Sequence, residues 1–336
     1  MKRRLFTKAG SALLGLGVLM SLSLGAQGKQ DIRFLPEKVE ESNHIAQVDS
    51  SVRIGYQKYG TVNILKARQE LEKRFKTKGV KVDWILFPAG PQLLEALNAG
   101  SIDFGHTGEA PPIFAQAAGA PLLYVGNEPP NPRGEAIIVL KDSPIKTIKD
   151  LKGKRVAFNK GSNVQYLVVK ALEEAGLKYT DIKPVYLPPA DARAAFEQRQ
   201  VDAWAIWDPF LSAARAATGA RTVRDGRGIV ANREFYLASK PFAQKYPDRL
   251  KVILGGIATI DNWAKNNPKG VAKLLAPQIG ISEEVLEQIS RSRPYGIQSI
   301  KPDVIAYQQD IANTFLKLGL LPKPIQVKQA TQIVSK

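Results

Sequence analysis

A unit that occurs twice, about one hundred residues apart, limits the fold more than any other feature. The first copy, Pro88 to Gly119, reads PAGPQLLEALNAGSIDFGHTGEAPPIFAQAAG. The second, Pro189 to Gly219, reads PADARAAFEQRQVDAWAIWDPFLSAARAATG. Each copy has a short amphipathic helix and then a strand opening with aspartate, Asp103 or Asp202. Six positions later comes an acidic residue, Glu109 or Asp208, just before proline and another helix. Two such units predict two similar α/β lobes whose helix starts could face each other across a cleft.

The flanking segments extend the pattern. Strands are predicted at 52–56, 80–87, 102–105, 122–125 and 136–140, and again at 155–158, 184–187, 201–206 and 234–238, with helices between most of them. From Ser239 onward the chain reads as nearly all helical, with segments at 250–264, 282–291 and 302–318. Alternating strands and helices imply parallel sheets covered on both faces. Ligands of such sheets sit beyond the carboxyl ends of the strands, at helix starts. The expected division is lobe one at 51–139 and 239–336, and lobe two at 140–238. The chain then crosses twice between lobes, which suits a hinge.

The 336 residues suffice for two lobes, and 44% hydrophobic content will fill their cores. The formal charge of +17 raises nucleic acid as a partner. The basic residues are scattered and mixed with acids, as in KARQELEKRFKTKG, so no nucleic-acid footprint is expected. There is no cysteine, which removes disulfides, thiolate chemistry and a lipid-modified N-terminus. The two histidines, His44 and His106, are far apart, and no G-x-S-x-G elbow is present. Neither a metal site nor a catalytic triad is expected.

Residues 1–26, MKRRLFTKAGSALLGLGVLMSLSLGA, have the basic start and apolar run of a secretory signal peptide. The RRLFTK stretch is similar to the twin-arginine pattern. Residues 27–50 are polar, without periodicity, and read as an N-terminal linker.

Five strand-to-helix loops carry small or polar residues at helix starts: QKYGT (57–61), AGPQ (89–92), TGE (107–109), GSN (161–163) and WDP (207–209). Unpaired N–H groups and the helix dipole make such places attractive to anions. They also serve as ordinary caps and turns. Ser162 and Gln165 have capping-box spacing. Glu109 and Asp208 either stabilise their own helices or face the cleft, where they could hold a ligand amine, accept hydrogen bonds from loop N–H groups or form hinge contacts. Trp207 either packs a ligand's alkyl portion or belongs to the core. His106 reads as a packing residue, and Lys58 and Arg133 as cations near the cleft mouth.

These stretches closely resemble the periplasmic aliphatic-sulfonate receptors of ABC importers, a group that also includes nitrate and taurine receptors. The resemblance is carried by GYQKYG (55–60), FPAGPQLLEALNAGSIDFG (87–105), TGEAPP (107–112), NKGSNVQYLVVKALEEAGL (159–177), PPADARAAFE (188–197), VDAWAIWDPF (201–210) and EFYLAS (234–239). It implies the type II periplasmic binding fold, two α/β lobes joined by two hinge crossovers, in a monomeric, non-enzymatic receptor without cofactor that docks onto an importer permease. Its implied ligand-binding residues are Gln57, Tyr59, Gly90, Pro91, Thr107, Gly108, Glu109, Ser162, Asn163, Trp207 and Asp208. The sulfonate would be held by backbone N–H and hydroxyl groups, with the alkyl tail against Trp207 and Tyr59. A taurine or nitrate-like small-anion receptor is the near alternative. The alternative of another class is an enzyme of this fold from thiamine pyrimidine synthesis. The absence of cysteine, the isolated His106 and the export signal all weigh against that reading. The second unit departs from the first at Gln198-Arg199-Gln200, where the first has Gly100.

Overall fold

The computed structural model describes residues 50–331. The expected signal peptide and residues 27–49 of the linker lie outside that range.

The first sheet begins with β1 (Ser51–Tyr56), β2 (Lys81–Leu86), β3 (Phe104–Gly108) and β4 (Leu122–Asn127). Between them lie α1 (Thr61–Ala67), α2 (Glu70–Phe75), α3 (Gly90–Asn98) and α4 (Pro111–Ala117). The second sheet has β5 (Glu135–Val139), β6 (Arg155–Phe158), β7 (Lys183–Tyr186), β8 (Ala203–Trp207) and β9 (Arg221–Asp225). Its helices are α5 (Asn163–Glu174), α6 (Pro189–Glu197) and α7 (Phe210–Thr218). The chain then returns through β10 (Glu234–Ser239) to the first sheet. It ends in α8 (Lys240–Lys245), α9 (Pro247–Asn266), α10 (Pro268–Ile279), α11 (Glu283–Ser292) and α12 (Pro302–Lys317).

Strand order is β2-β1-β3-β10-β4 in the first sheet and β7-β6-β8-β5-β9 in the second. With each sheet numbered by its own strands, both read second, first, third, crossover, fourth. Three strands of each sheet run parallel. The fourth-position strand, β10 or β5, runs antiparallel to both of its neighbours. The sheets are therefore mixed, not parallel throughout, because a strand that has just crossed from the other lobe enters its sheet from the opposite end. Pairing also moves the expected boundaries. Glu135–Val139 belongs to the second sheet and Glu234–Ser239 to the first, so the crossovers are residues 128–134 and 226–233. A continuously apolar segment such as EAIIV shows that a strand is central, but not which sheet it joins.

Local sequence accounts for the helices that frame the cleft. In α5, Val164, Leu167, Val168, Ala171 and Leu172 recur at i, i+3, i+4, i+7, i+8, and all five are buried. Helix α12 carries the C-terminal tail back between the lobes. Its Phe315 meets Phe114 of α4 with ring centroids 4.8 Å apart, and Tyr166 of α5 at 5.8 Å. The lobes thus share one apolar cluster behind the cleft. No helix among the described residues is long and apolar enough to cross a membrane.

Candidate ligand-binding site

Between the sheets lies a cavity holding about 700 Å³ of space, its open mouth included. The first lobe contributes Gln57, Lys58, Tyr59, Gly60, Gly90, His106, Gly108 and Pro111 to its lining. Asn163, Trp207 and Asp208 come from the second lobe. Both crossovers line it too, through Glu128, Asn131 and Asn232, and the helical tail supplies Arg293. Gly60 caps α1, while Gly90, Pro111 and Asn163 are the first residues of α3, α4 and α5. Helix starts from both lobes therefore open on one space, and none of these four has a side-chain cap. The N–H groups of a first helical turn have no partner within the helix. Here they form a setting for negative charge.

Seven of the eleven residues singled out in the sequence line this cavity: Gln57, Tyr59, Gly90, Gly108, Asn163, Trp207 and Asp208. Pro91, Thr107, Glu109 and Ser162 do not. The reason for Thr107 and Glu109 is strand periodicity. Strand β3 continues to Gly108, and its helix starts only at Pro111. Alternation then turns His106 and Gly108 toward the cavity and Thr107 and Glu109 away from it. Thr107 packs beneath Gly90, where an added Cβ would meet its Cβ at 2.9 Å.

Glu109 is fully buried and holds the second crossover. It accepts the Arg233 backbone N–H at 3.0 Å and lies 3.4 Å from the Tyr307 hydroxyl. Burial pushes its carboxyl up to about 7, against the pull of those donors. Of the roles open to it from sequence, it takes the hinge contact. Ser162 is also buried, its hydroxyl donating to the Asn159 carbonyl at 2.6 Å. The capping box does not form: the Gln165 side chain accepts from Gly161 N–H at 2.7 Å instead. Pro91 stands beside the opposite lobe, 3.8 Å from where a Cβ on Gly161 would lie.

The lobes meet closely at the cavity. A Cβ on Gly108 would come within 2.9 Å of the Asn163 side chain, so only glycine admits this approach. Asn163 in turn donates to Glu135 and, at 3.1 Å, to Asn232, whose own amide donates to the Asn131 carbonyl at 2.8 Å. One side chain at the start of α5 is tied to both crossovers. Asp208 accepts from the N–H and hydroxyl of Ser212, at 3.1 and 2.6 Å, and so caps the first turn of α7. It does this while lining the cavity.

A charge network forms the wall on the first lobe's side. Arg293 contacts Glu128 at 2.6 Å and Glu234 at 3.2 Å. Glu128 also accepts from Tyr236 at 2.6 Å and Thr61 at 3.1 Å. His106 pairs through Nδ1 with Glu234, while its Nε2 accepts the Gln57 N–H at 3.3 Å. That pattern is the one a neutral ring with its proton on Nδ1 makes. Burial alone would lower the Arg293 pKa, but Glu128 and Glu234 hold it well above its ordinary value. Asp261, behind the wall, is pushed up to about 7 by burial and by Glu128. Tyr59 is buried, with its hydroxyl 2.8 Å from that of Ser290. Arg133 is exposed and outside the lining, whereas Lys58 stands at the mouth. Sequence reasoning missed Arg293, Glu128 and Glu234. They come from three separate segments; Glu128 and Arg293 carry no local motif, and Glu234 opens the EFYLAS stretch without a local sign of its role.

Two mixed sheets joined by two short crossovers, with a cavity lined from both, define a two-lobed solute receptor. The chain belongs to the family described as NMT1/THI5 like, which matches residues 74–271. It is 48% identical over 282 residues to an aliphatic sulfonates-binding protein of Escherichia coli (strain K12), covering 83% of this chain and 88% of that one. Among solved structures it resembles the alkanesulfonate-binding protein SsuA from Xanthomonas axonopodis pv. citri bound to MOPS. That match has a TM-score of 0.81 and 44% identity, over 84% of this chain and 98% of that one. The periplasmic aliphatic sulphonate binding protein SsuA from Escherichia coli matches with a TM-score of 0.75 and 47% identity, over 84% and 97%. These relatives are binding proteins, not enzymes.

Proposed function

We propose that this chain is an extracytoplasmic receptor that captures aliphatic sulfonates between its lobes and delivers them to an ABC importer. The observation that carries this reading is the convergence of uncapped helix starts from both lobes on one cavity that also contains Trp207. The sulfonate oxygens accept hydrogen bonds from first-turn N–H groups around Gly60, Gly90 and Asn163. The organic tail lies against Trp207 and Tyr59. Trp207 on the cavity wall offers an apolar surface that nitrate would not use, which favours the organic anion. Capture breaks no bond. The contact of Gly108 with Asn163 holds the lobes together over the ligand, and the closed form offers both lobes' rims to a permease. The basic, apolar N-terminus directs export, by the twin-arginine route if RRLFTK is read as such.

Titration calorimetry tests the reading. Ethanesulfonate, MOPS and longer alkanesulfonates are expected to release heat with one site per chain, and sulfate, nitrate and phosphate to bind weakly or not at all. Absence of binding by every sulfonate would overturn it. A reporter fused to residues 1–50 and exported only when Arg3 and Arg4 are intact supports the twin-arginine route; export by a double-lysine variant removes it.

A further inference from the structure

Behind the cavity, the boundary between the lobes holds a carboxyl group that ligand contact does not explain. Glu135 is fully buried at the start of β5, where the first crossover enters the second sheet. Its Oε2 accepts from the Asn163 amide, and its Oε1 is buried with no hydrogen-bond partner among the described residues. Around it stand Glu109 of the first lobe, Tyr307 of α12 and, beside it in the sheet, Trp207 of β8. The nearby Arg233 offers no ion pair: its backbone N–H goes to Glu109 and its guanidinium to the Glu128 carbonyl. Burial, and then the Glu109 carboxyl, push the Glu135 pKa well above its ordinary value, and the Asn163 amide only partly offsets them.

Asn163 connects this group to the guest. Its two amide hydrogens are spent on Glu135 and Asn232, and its side chain is the point where the second lobe meets Gly108 of the first. Its backbone N–H belongs to the first turn of α5, which opens on the cavity. An ionised Glu135 in this place would be a buried charge with one amide donor and no cation, an arrangement that costs far more than a neutral acid. We infer that Glu135 is the positioning residue for the ligand-facing start of α5, that it acts through Asn163 as a neutral acid, and that sulfonate capture therefore takes up a proton. This inference rests on the sulfonate reading above. When the lobes part, Gly108 leaves Asn163, water reaches the Asn163–Glu135 pair and the carboxyl ionises as an ordinary one. Closure dries the pair and returns the proton. The closed, loaded form thus has the higher pKa, so affinity is greatest at low pH and falls as pH rises past the open form's value.

Ethanesulfonate does not titrate near neutral pH, so any proton exchanged on its binding belongs to the protein. Calorimetry in buffers of different ionisation enthalpy should show the wild-type chain taking up about one proton per ligand at about pH 7, with affinity falling about tenfold or more from about pH 6 to about pH 8. Glu135→Gln keeps an acceptor for Asn163 but cannot ionise. Its proton uptake should fall to about a fifth of the wild-type value or less, and its affinities at the two pH values should agree within about threefold. Glu135→Ala removes the anchor of Asn163 and should weaken binding about tenfold even at about pH 6. A merely structural Glu135 would leave the proton count and the pH profile of Glu135→Gln like those of the wild type. That result overturns the inference, as does wild-type binding without proton uptake. If ethanesulfonate does not bind the wild-type chain at either pH, the sulfonate reading itself is overturned, and this inference with it.

Discussion

The two lobes repeat one clamp in two settings. In the first, Arg53 of β1 reaches Asp103 at the entry to β3, donating its backbone N–H at 2.8 Å and its guanidinium at 3.1 and 2.6 Å. In the second, Arg155 of β6 meets Asp202 at 2.7, 3.2 and 3.0 Å. The geometry is the same, but the exposure differs: side-chain exposure is 13% for Asp103 and 31% for Asp202. The acidic residues six positions on have diverged further. Glu109 went into the core and Asp208 stayed on the cavity wall. A repeat therefore preserves what holds strands together more faithfully than what faces the guest.

The largest expected difference between the lobes is in pH dependence. Glu109 keeps its proton up to about pH 7 in the folded chain, while an unfolded chain releases it near its ordinary value of 4.5. Its favourable contribution is complete below pH 4.5 and is lost as pH rises through 7. Glu109→Gln removes that dependence. Relative to wild type, the variant should gain about 3 kcal/mol between pH 4.5 and pH 8 in urea unfolding. A constant gap across that range would break the contrast with Asp208, for which no comparable gain is expected. Asp103→Ala should follow at about 2 kcal/mol, because it strands a backbone N–H and a half-buried guanidinium. Asp202→Ala should lose measurably less, since water and salt screen the more exposed pair. Equal shifts in urea midpoint would show that burial does not set the strength of the clamp. The smallest effect belongs to the turn between helix and strand. Gly100 has φ 70, and Arg199, its counterpart in the second lobe, has φ 59. Arg199→Gly relieves that conformation but gives up the exposed pair with Asp142. The Tm is expected to rise on the order of one degree; a fall would mean that the ion pair outweighs the backbone.

Much of this architecture was legible because local rules wrote it. The repeat located β3 and β8 with their flanking helices, and apolar spacing located α5. The departure at Arg199 was visible as a missing glycine. Direction and sheet membership of β5 and β10 were not, since pairing partners lie up to about 130 residues away and leave no trace in a short apolar run. The split of the segment after Gly60 into α1 and α2 also escaped notice. Gln69 there takes φ 53, with no glycine or proline to mark it. In the site, helix starts and Trp207 could be read, but a misplaced end of β3 put Thr107 and Glu109 on the wrong face. Strand β9 went unpredicted, and within the tail read as nearly all helical the bounds of α8 and α10 were not drawn. Arg293 was invisible because its role depends on tertiary neighbours alone.

Strand β4 has one pairing partner in its sheet, β10, and β10 lies more than a hundred residues downstream. The second sheet is drawn from one uninterrupted stretch, 135–225. As the chain emerges from the ribosome or a translocon, the later half can therefore finish while the earlier half still waits with an open edge. Limited proteolysis of stalled nascent chains, with residue 230 just clear of the ribosomal tunnel, should find the interior stretch protected and residues 51–127 cut. The opposite pattern would mean that assembly does not follow strand pairing. That waiting edge is where a chaperone has most to shield.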